Sequence, residues 1–339
     1  MNPRVRRGVA LAFLVFLLVQ LGSLALVPTF FERGYQTVEN PGDPSNSLLY
    51  VGAVLVATAL MLAAFKFDLD WVVRAVIVLT SGLLAWYVVA AVVPPVYVAG
   101  IDVLSVGLAA LVPLGLAVYP EWYVIDAAGV LMGAGAAGLF GISFGLLPAI
   151  LLLSVLAVYD AISVYGTRHM LDLAEGVMDL RIPVVLVIPL EWSYSLLEDD
   201  FSGANEVHDD AEADAAAEGT SAETEGEKSE DDGEAASERD AFFIGLGDAV
   251  IPTVMIASAA FFSTAPSLGI PGLPAVNLPA LLSMGGTLCG LGVLMWMVTK
   301  GRAHAGLPLL NGGAIGGYLL GAVLAGIPII DAVGLATYL

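Results

Sequence analysis

Two aspartates stand inside apolar stretches long enough to cross a membrane. Asp160 closes Leu156-Ala157-Val158-Tyr159-Asp160, and Asp248 closes Gly245-Leu246-Gly247-Asp248. A carboxylate at bilayer depth is costly, which makes an ionisable residue there a functional candidate by default. Neither stretch holds a basic residue that could pair with it. Two carboxylates brought close together can share one proton. The ionised member then activates water while the protonated member polarises a carbonyl, which is the chemistry of peptide hydrolysis. Close like charges in a low-dielectric setting favour such single protonation.

Other chemistries find little material. The three histidines, His169, His208 and His304, fall in loops and form no metal-ligand spacing, so no metal or other cofactor is expected. No phosphate-binding glycine loop or nucleophile elbow is present. The single cysteine, Cys289, excludes an intrachain disulfide and reads as a small buried apolar residue. Asp102, Glu121, Asp126 and Asp331 fall at the ends of apolar stretches and read as interfacial.

The elements that must position the two aspartates are helices in lipid. Of 339 residues 58% are hydrophobic, and the mean hydropathy is +0.87, which points to a polytopic membrane protein. Nine apolar stretches are expected to span: Gly8–Val27, Leu48–Phe65, Trp71–Val93, Val103–Tyr119, Val124–Ile142, Leu146–Tyr165, Ala241–Phe262, Leu278–Val298 and Gly306–Ile327. The basic start Arg4-Val5-Arg6-Arg7 resembles that of a signal peptide, but the long apolar run and missing small-x-small site favour a retained first span. With the N-terminus inside, 11 of the 12 basic residues fall on the cytoplasmic side and only Arg33 outside, which supports the count of nine.

The expected organisation is residues 1–165 as six spans, 166–240 as a cytoplasmic loop, and 241–339 as three spans. Residues 198–240 hold 18 of the 33 acidic residues against two basic ones. The net charge of −21 is therefore mostly a property of this loop, whose Asp/Glu/Ala/Gly/Ser composition predicts a disordered linker. An acidic, Lys-poor surface of this kind suits a very salty cytoplasm and offers nothing to nucleic acid. Arg168 to Leu180 predicts a short interfacial amphipathic helix. Pro183 to Leu190 is too short to span and rich in β-branched residues, which predicts a strand or a surface-dipping segment.

Asp160 is predicted about six residues from the cytoplasmic end of its span and Asp248 about seven, both roughly 9–11 Å deep at about 1.5 Å per residue. Gly245 and Gly247 would let another backbone approach. In the last stretch, the pairs Gly312/Gly316, Gly313/Gly317 and Gly317/Gly321 predict close helix contact, and Pro308 a local loosening.

With these motifs in order, the chain resembles the presenilin and signal peptide peptidase family of intramembrane aspartyl proteases, in an archaeal form. Tyr159-Asp160 matches that family's YD motif, and Gly245-Leu246-Gly247-Asp248 its GxGD motif. Pro308-Leu309-Leu310 stands where the family has Pro-Ala-Leu, with a bulkier middle residue. The resemblance implies an all-α, nine-helix presenilin-like fold in the cell membrane, with catalytic Asp160 and Asp248 cleaving transmembrane proteins or peptides through a gem-diol. It also implies that the ninth-span motif shapes the site. An unwound substrate could be held by β-augmentation, with Pro183–Leu190 and the residues just before Gly245 as candidate strands. Homo-oligomerisation is left open. A proton-coupled transporter is the alternative, since it too would use two buried carboxylates, although no inverted repeat is evident. A prepilin-type peptidase shares GxGD but would have fewer spans.

Overall fold

The computed structural model of the chain describes residues 3–164, 185–191, 194–196, 241–300, 305–336 and 338. The amphipathic stretch 168–180 and the acidic segment 198–240 therefore lie outside the described residues, as do the three histidines.

The chain is helical, as an apolar backbone in lipid must be if it is to satisfy its own hydrogen bonds. In order the helices are α1 (Pro3–Glu32), α2 (Ser45–Lys66), α3 (Asp70–Val92), α4 (Val103–Val118), α5 (Trp122–Ser143) and α6 (Leu146–Ile162). After the loop come α7 (Leu246–Phe262), α8 (Leu278–Val298), α9 (Gly306–Leu324) and a short α10 (Ile329–Ala332). Six of them, α1, α2, α3, α5, α8 and α9, are long and apolar enough to cross a membrane. The others that matter, α4, α6 and α7, are shorter apolar helices.

Two small antiparallel sheets complete the fold. One is a hairpin of β1 (Tyr97–Val98) and β2 (Ile101–Asp102); the other joins β3 (Val185–Pro189) to β4 (Ala241–Gly245). β4 corrects one expected boundary. The seventh apolar stretch begins as a strand, and its helix starts only at Leu246. Phe242, Phe243 and Ile244 are aromatic or β-branched and suit a half-buried strand, the candidate strand before Gly245, although apolarity alone assigns them to the span.

α5 is the central helix. Its Gly and Ala content, which dilutes its hydropathy, lets α1, α3 and α7 approach it closely: Gly133 meets Val19, Leu246 and Val250, and Gly135 meets Val88. α2 lies at the periphery. None of its most apolar window is buried, and it is held mainly at one end, where Ser47 Oγ donates to the Pro148 carbonyl at 2.6 Å.

α8 and α9 form the tightest pair. Gly286 and Gly313 face each other so closely that a Cβ on either would strike the other's backbone. Gly317 and Gly321 continue this seam against Leu282 and Pro279, whereas Gly312 and Gly316 have open space around them. Two of the three predicted glycine pairs thus pack against α8, and Gly312/Gly316 faces away. Cys289 is exposed on the outward face of α8 instead of buried, so apolarity there reflects its surroundings and not a packed site.

Candidate active site

α6 and α7 bring the two aspartates together at neighbouring helix ends. Asp160 lies in the last turn of α6 and is buried, 5% exposed. Asp248 lies in the first turn of α7, half-buried, and within direct electrostatic reach of Asp160. Asp248 sits nearer to its helix end than the span boundary predicts, because β4 takes the first residues of that stretch.

The third wall of the site is the first turn of α9. The N–H of Leu307 donates to Asp160 Oδ2 at 3.0 Å. The neighbouring Gly306 lies against Asp248, where an added Cβ would sit 3.4 Å from Oδ2. The first N–H groups of a helix have no partner inside it, and the positive end of its dipole favours a carboxylate. Asp160 therefore occupies the N-terminus of α9, while Asp248 occupies that of α7.

Pro308 follows from the same geometry. It stands in the first turn of α9, where its missing N–H costs nothing and its fixed φ suits helix initiation. The predicted loosening of the helix is not what it does. Leu310 is fully buried, Leu309 half-buried, and the Leu309 carbonyl lies against Gly290 of α8. Asn311, one turn after Leu307, donates Nδ2 to the Leu153 carbonyl at 2.9 Å, so two polar contacts fasten α9 to α6. Asn311 was missed in the sequence, though an amide inside an apolar helix is itself a signal.

Tyr159 points outward, 38% exposed, on the α6 face that also shows Val155, Val158 and Ile162. Gly245 and Gly247 are exposed, and among the described residues nothing would meet a Cβ added at Gly247. That leaves room beside Asp248 for an approaching chain. Among the described residues no cluster of His, Cys, Asp or Glu could hold a metal ion.

The strands predicted on either side of the loop pair with each other. β3 and β4 are antiparallel, with Val185 opposite Gly245, Val187 opposite Phe243 and Pro189 opposite Ala241. Both faces of β3 are covered, which explains its unbroken apolar run. Leu186 and Ile188 join Ala12, Phe16 and Leu291 on one face, while Val187 joins Ile125, Ala128 and Leu196 on the other. Gly245 is at once the last residue of β4 and the residue that starts α7, three positions before Asp248.

Asp126 and Glu121, expected at the interface, are instead buried. Asp126 Oδ1 accepts the Val187 N–H of β3 at 2.8 Å. Glu121 accepts the Ser195 hydroxyl at 2.6 Å and the Leu196 N–H at 3.1 Å. An interfacial reading failed because their partners lie 61 to 75 residues away in the loop.

A family model described as signal-peptide peptidase, presenilin aspartyl protease matches residues 13–327. Among solved structures, the chain is similar to a presenilin family intramembrane aspartate protease crystallised in space group C222. The two are 30% identical with a TM-score of 0.60, covering 93% of this chain and 99% of that one. A P2 crystal form of such a protease gives 30% identity and a TM-score of 0.58, over 92% of this chain and 96% of that one. No curated protein sequence matches.

Proposed function

Because the chain belongs to the signal-peptide peptidase and presenilin aspartyl protease family, we propose that it hydrolyses peptide bonds within transmembrane segments of other proteins, with Asp160 and Asp248 as its catalytic pair. It is an intramembrane aspartic protease, and the comparisons lend no support to the transporter alternative. The observation that carries the choice of residues is that both carboxylates meet the start of α9, Asp160 accepting the Leu307 N–H and Asp248 lying against Gly306.

One carboxylate takes a proton from water as the water oxygen adds to the scissile carbonyl, and the other gives its proton to the carbonyl oxygen. The resulting gem-diol collapses as the protonated carboxyl gives its proton to the nitrogen and the C–N bond breaks to release the amine. A gem-diol hydroxyl returns its proton to the other carboxylate, which restores a pair holding one proton. The Leu307 N–H keeps Asp160 oriented throughout. Glycines at 245 and 247 leave space for the unwound substrate, whose strand would add to the outer edge of β4.

We read α4, α6 and α7 as spans as well, since about 16 residues at 1.5 Å rise cover most of a roughly 30 Å core. This gives nine spans, grouped as 1–165 and 241–339 around the 166–240 loop. The N-terminus and that loop would be cytoplasmic, and the protein would lie in the cell membrane.

The test is incubation of purified protein with a labelled transmembrane peptide in detergent or vesicles. New termini inside the peptide's apolar stretch are expected by mass spectrometry. Intact peptide beside well-folded protein, across several unrelated substrates, would overturn the reading.

A further inference from the structure

An antiparallel ladder alternates between residues that bond inward to the partner strand and residues that bond outward. The Val187 N–H is spent on Asp126, so it points away from β4. Val185, Val187 and Pro189 therefore face outward on β3, and by register Ala241, Phe243 and Gly245 face outward on β4. The outer edge of β3 is closed by α5: Asp126 takes its central N–H, and Gly129 lies against Leu186. Only the β4 edge leads to Gly245 and on to Asp248.

We infer that Asp126 is a positioning residue for proteolysis. It fixes the β3–β4 pair against α5 by one buried hydrogen bond, and so sets where a substrate strand on β4 lies over the dyad. Glu121 anchors the chain beyond β3 through Ser195 and Leu196, and its two bonds confine the same segment from the other end. Arg4 of α1 closes the arrangement with an ion pair to Glu191 at 2.8 Å. Asp126 differs from both in bonding to the strand itself. This inference rests on the proposal that substrate adds to β4.

The consequence is specific to register. A loosened sheet still carries Asp248, so the chemistry survives, but the substrate strand is held less firmly and cleavage spreads to neighbouring bonds. A substitution that only weakened the fold would lower the amount of active protein without moving the cut.

The experiment compares Asp126→Ala, Asp126→Asn and Asp126→Glu with wild type on one transmembrane peptide, measuring kcat, KM, cut positions and Tm. Asp126→Ala leaves the Val187 N–H without its acceptor and is expected to lower kcat/KM about tenfold, mainly through KM, with additional cut positions. Asp126→Asn keeps an acceptor oxygen and is expected to restore the wild-type cut. Asp126→Glu keeps the carboxyl but advances it by a methylene, which displaces β3, so its cut positions shift even where the alanine variant does not fold. Wild-type cut positions and KM in a folded Asp126→Ala, or in Asp126→Glu, would overturn the inference, as would an Asp126→Asn as defective as alanine. Wild-type protein that cuts no transmembrane peptide would instead overturn the proposed function, so the two failures are distinct.

Discussion

Leu307 gives its backbone N–H to Asp160 Oδ2 at 3.0 Å across 147 positions of sequence, tying the start of α9 to the end of α6. A backbone donor cannot be removed by ordinary side-chain substitution, which makes proline the informative change. Proline is tolerated in the first turn of a helix, so Leu307→Pro should leave α9 in place. Loss of a hydrogen bond to a charged group costs about 1.5–3 kcal/mol, or roughly ten- to a hundredfold in rate. Unchanged kcat in the folded variant would mean that this bond does not orient the dyad.

Asp160→Asn and Asp248→Asn should each abolish cleavage while leaving Tm close to wild type. An amide keeps the shape of the carboxyl but cannot share its proton. Substantial turnover by either purified variant would remove that residue from the mechanism.

Leu309→Ala is expected to be mild. A fully buried leucine would cost about 2–5 kcal/mol on truncation, but this side chain is only half-buried, so about 1 kcal/mol or a little more is the expected loss. Gly313→Ala should be worse, since its methyl group meets the Gly286 backbone, which has no flexible end to give way. Equal thermal stabilities for the two variants would contradict this ordering.

Asn311→Leu should weaken α9 against α6 by removing the bond to Leu153. Polar contacts between membrane helices are worth about 0.6 kcal/mol on average and up to about 1.7. A modest fall in Tm is expected, together with lower activity, because the same helix face carries Leu307 one turn away. Full activity at reduced Tm would separate the packing of α9 from the dyad.

Outside the membrane, the Ser45 N–H and hydroxyl hold the Asp43 carboxyl below the usual carboxylate range. A lowered folded-state pKa stabilises above the unfolded value, and the benefit is lost as pH falls through the folded one. The small Tm difference between wild type and Asp43→Ala should therefore be present at neutral pH and close in acid, below roughly pH 4. A difference that widens on acidification would have the wrong sign.

Much of the site could be read in the sequence because its key groups are rare in their surroundings. Two carboxylates in apolar stretches, each ending a short motif, stand out without any knowledge of contacts, and Pro183–Leu190 announced a strand by its β-branched run. What escaped was set by long-range partners. Asp126 and Glu121 look like ordinary interfacial acids until the chain beyond residue 184 folds back on α5. Gly306 and Leu307 act through backbone position, which side-chain chemistry does not advertise. The residues just before Gly245 stood out as a candidate strand only through the resemblance, because an apolar run next to a helix carries no mark of where the period changes.

The glycine seam between α8 and α9 has a mechanical meaning. Helices slide past each other by exchanging side-chain rotamers, and where backbone rests on backbone there are none to exchange. α8 and α9 should therefore travel as one stiff plank, so withdrawing Leu307 from Asp160 means moving both. Gly285 and Gly312 have open space around them and can carry a pair of spin labels. Their separation should stay constant with and without bound substrate, even as the distance from α9 to α6 changes.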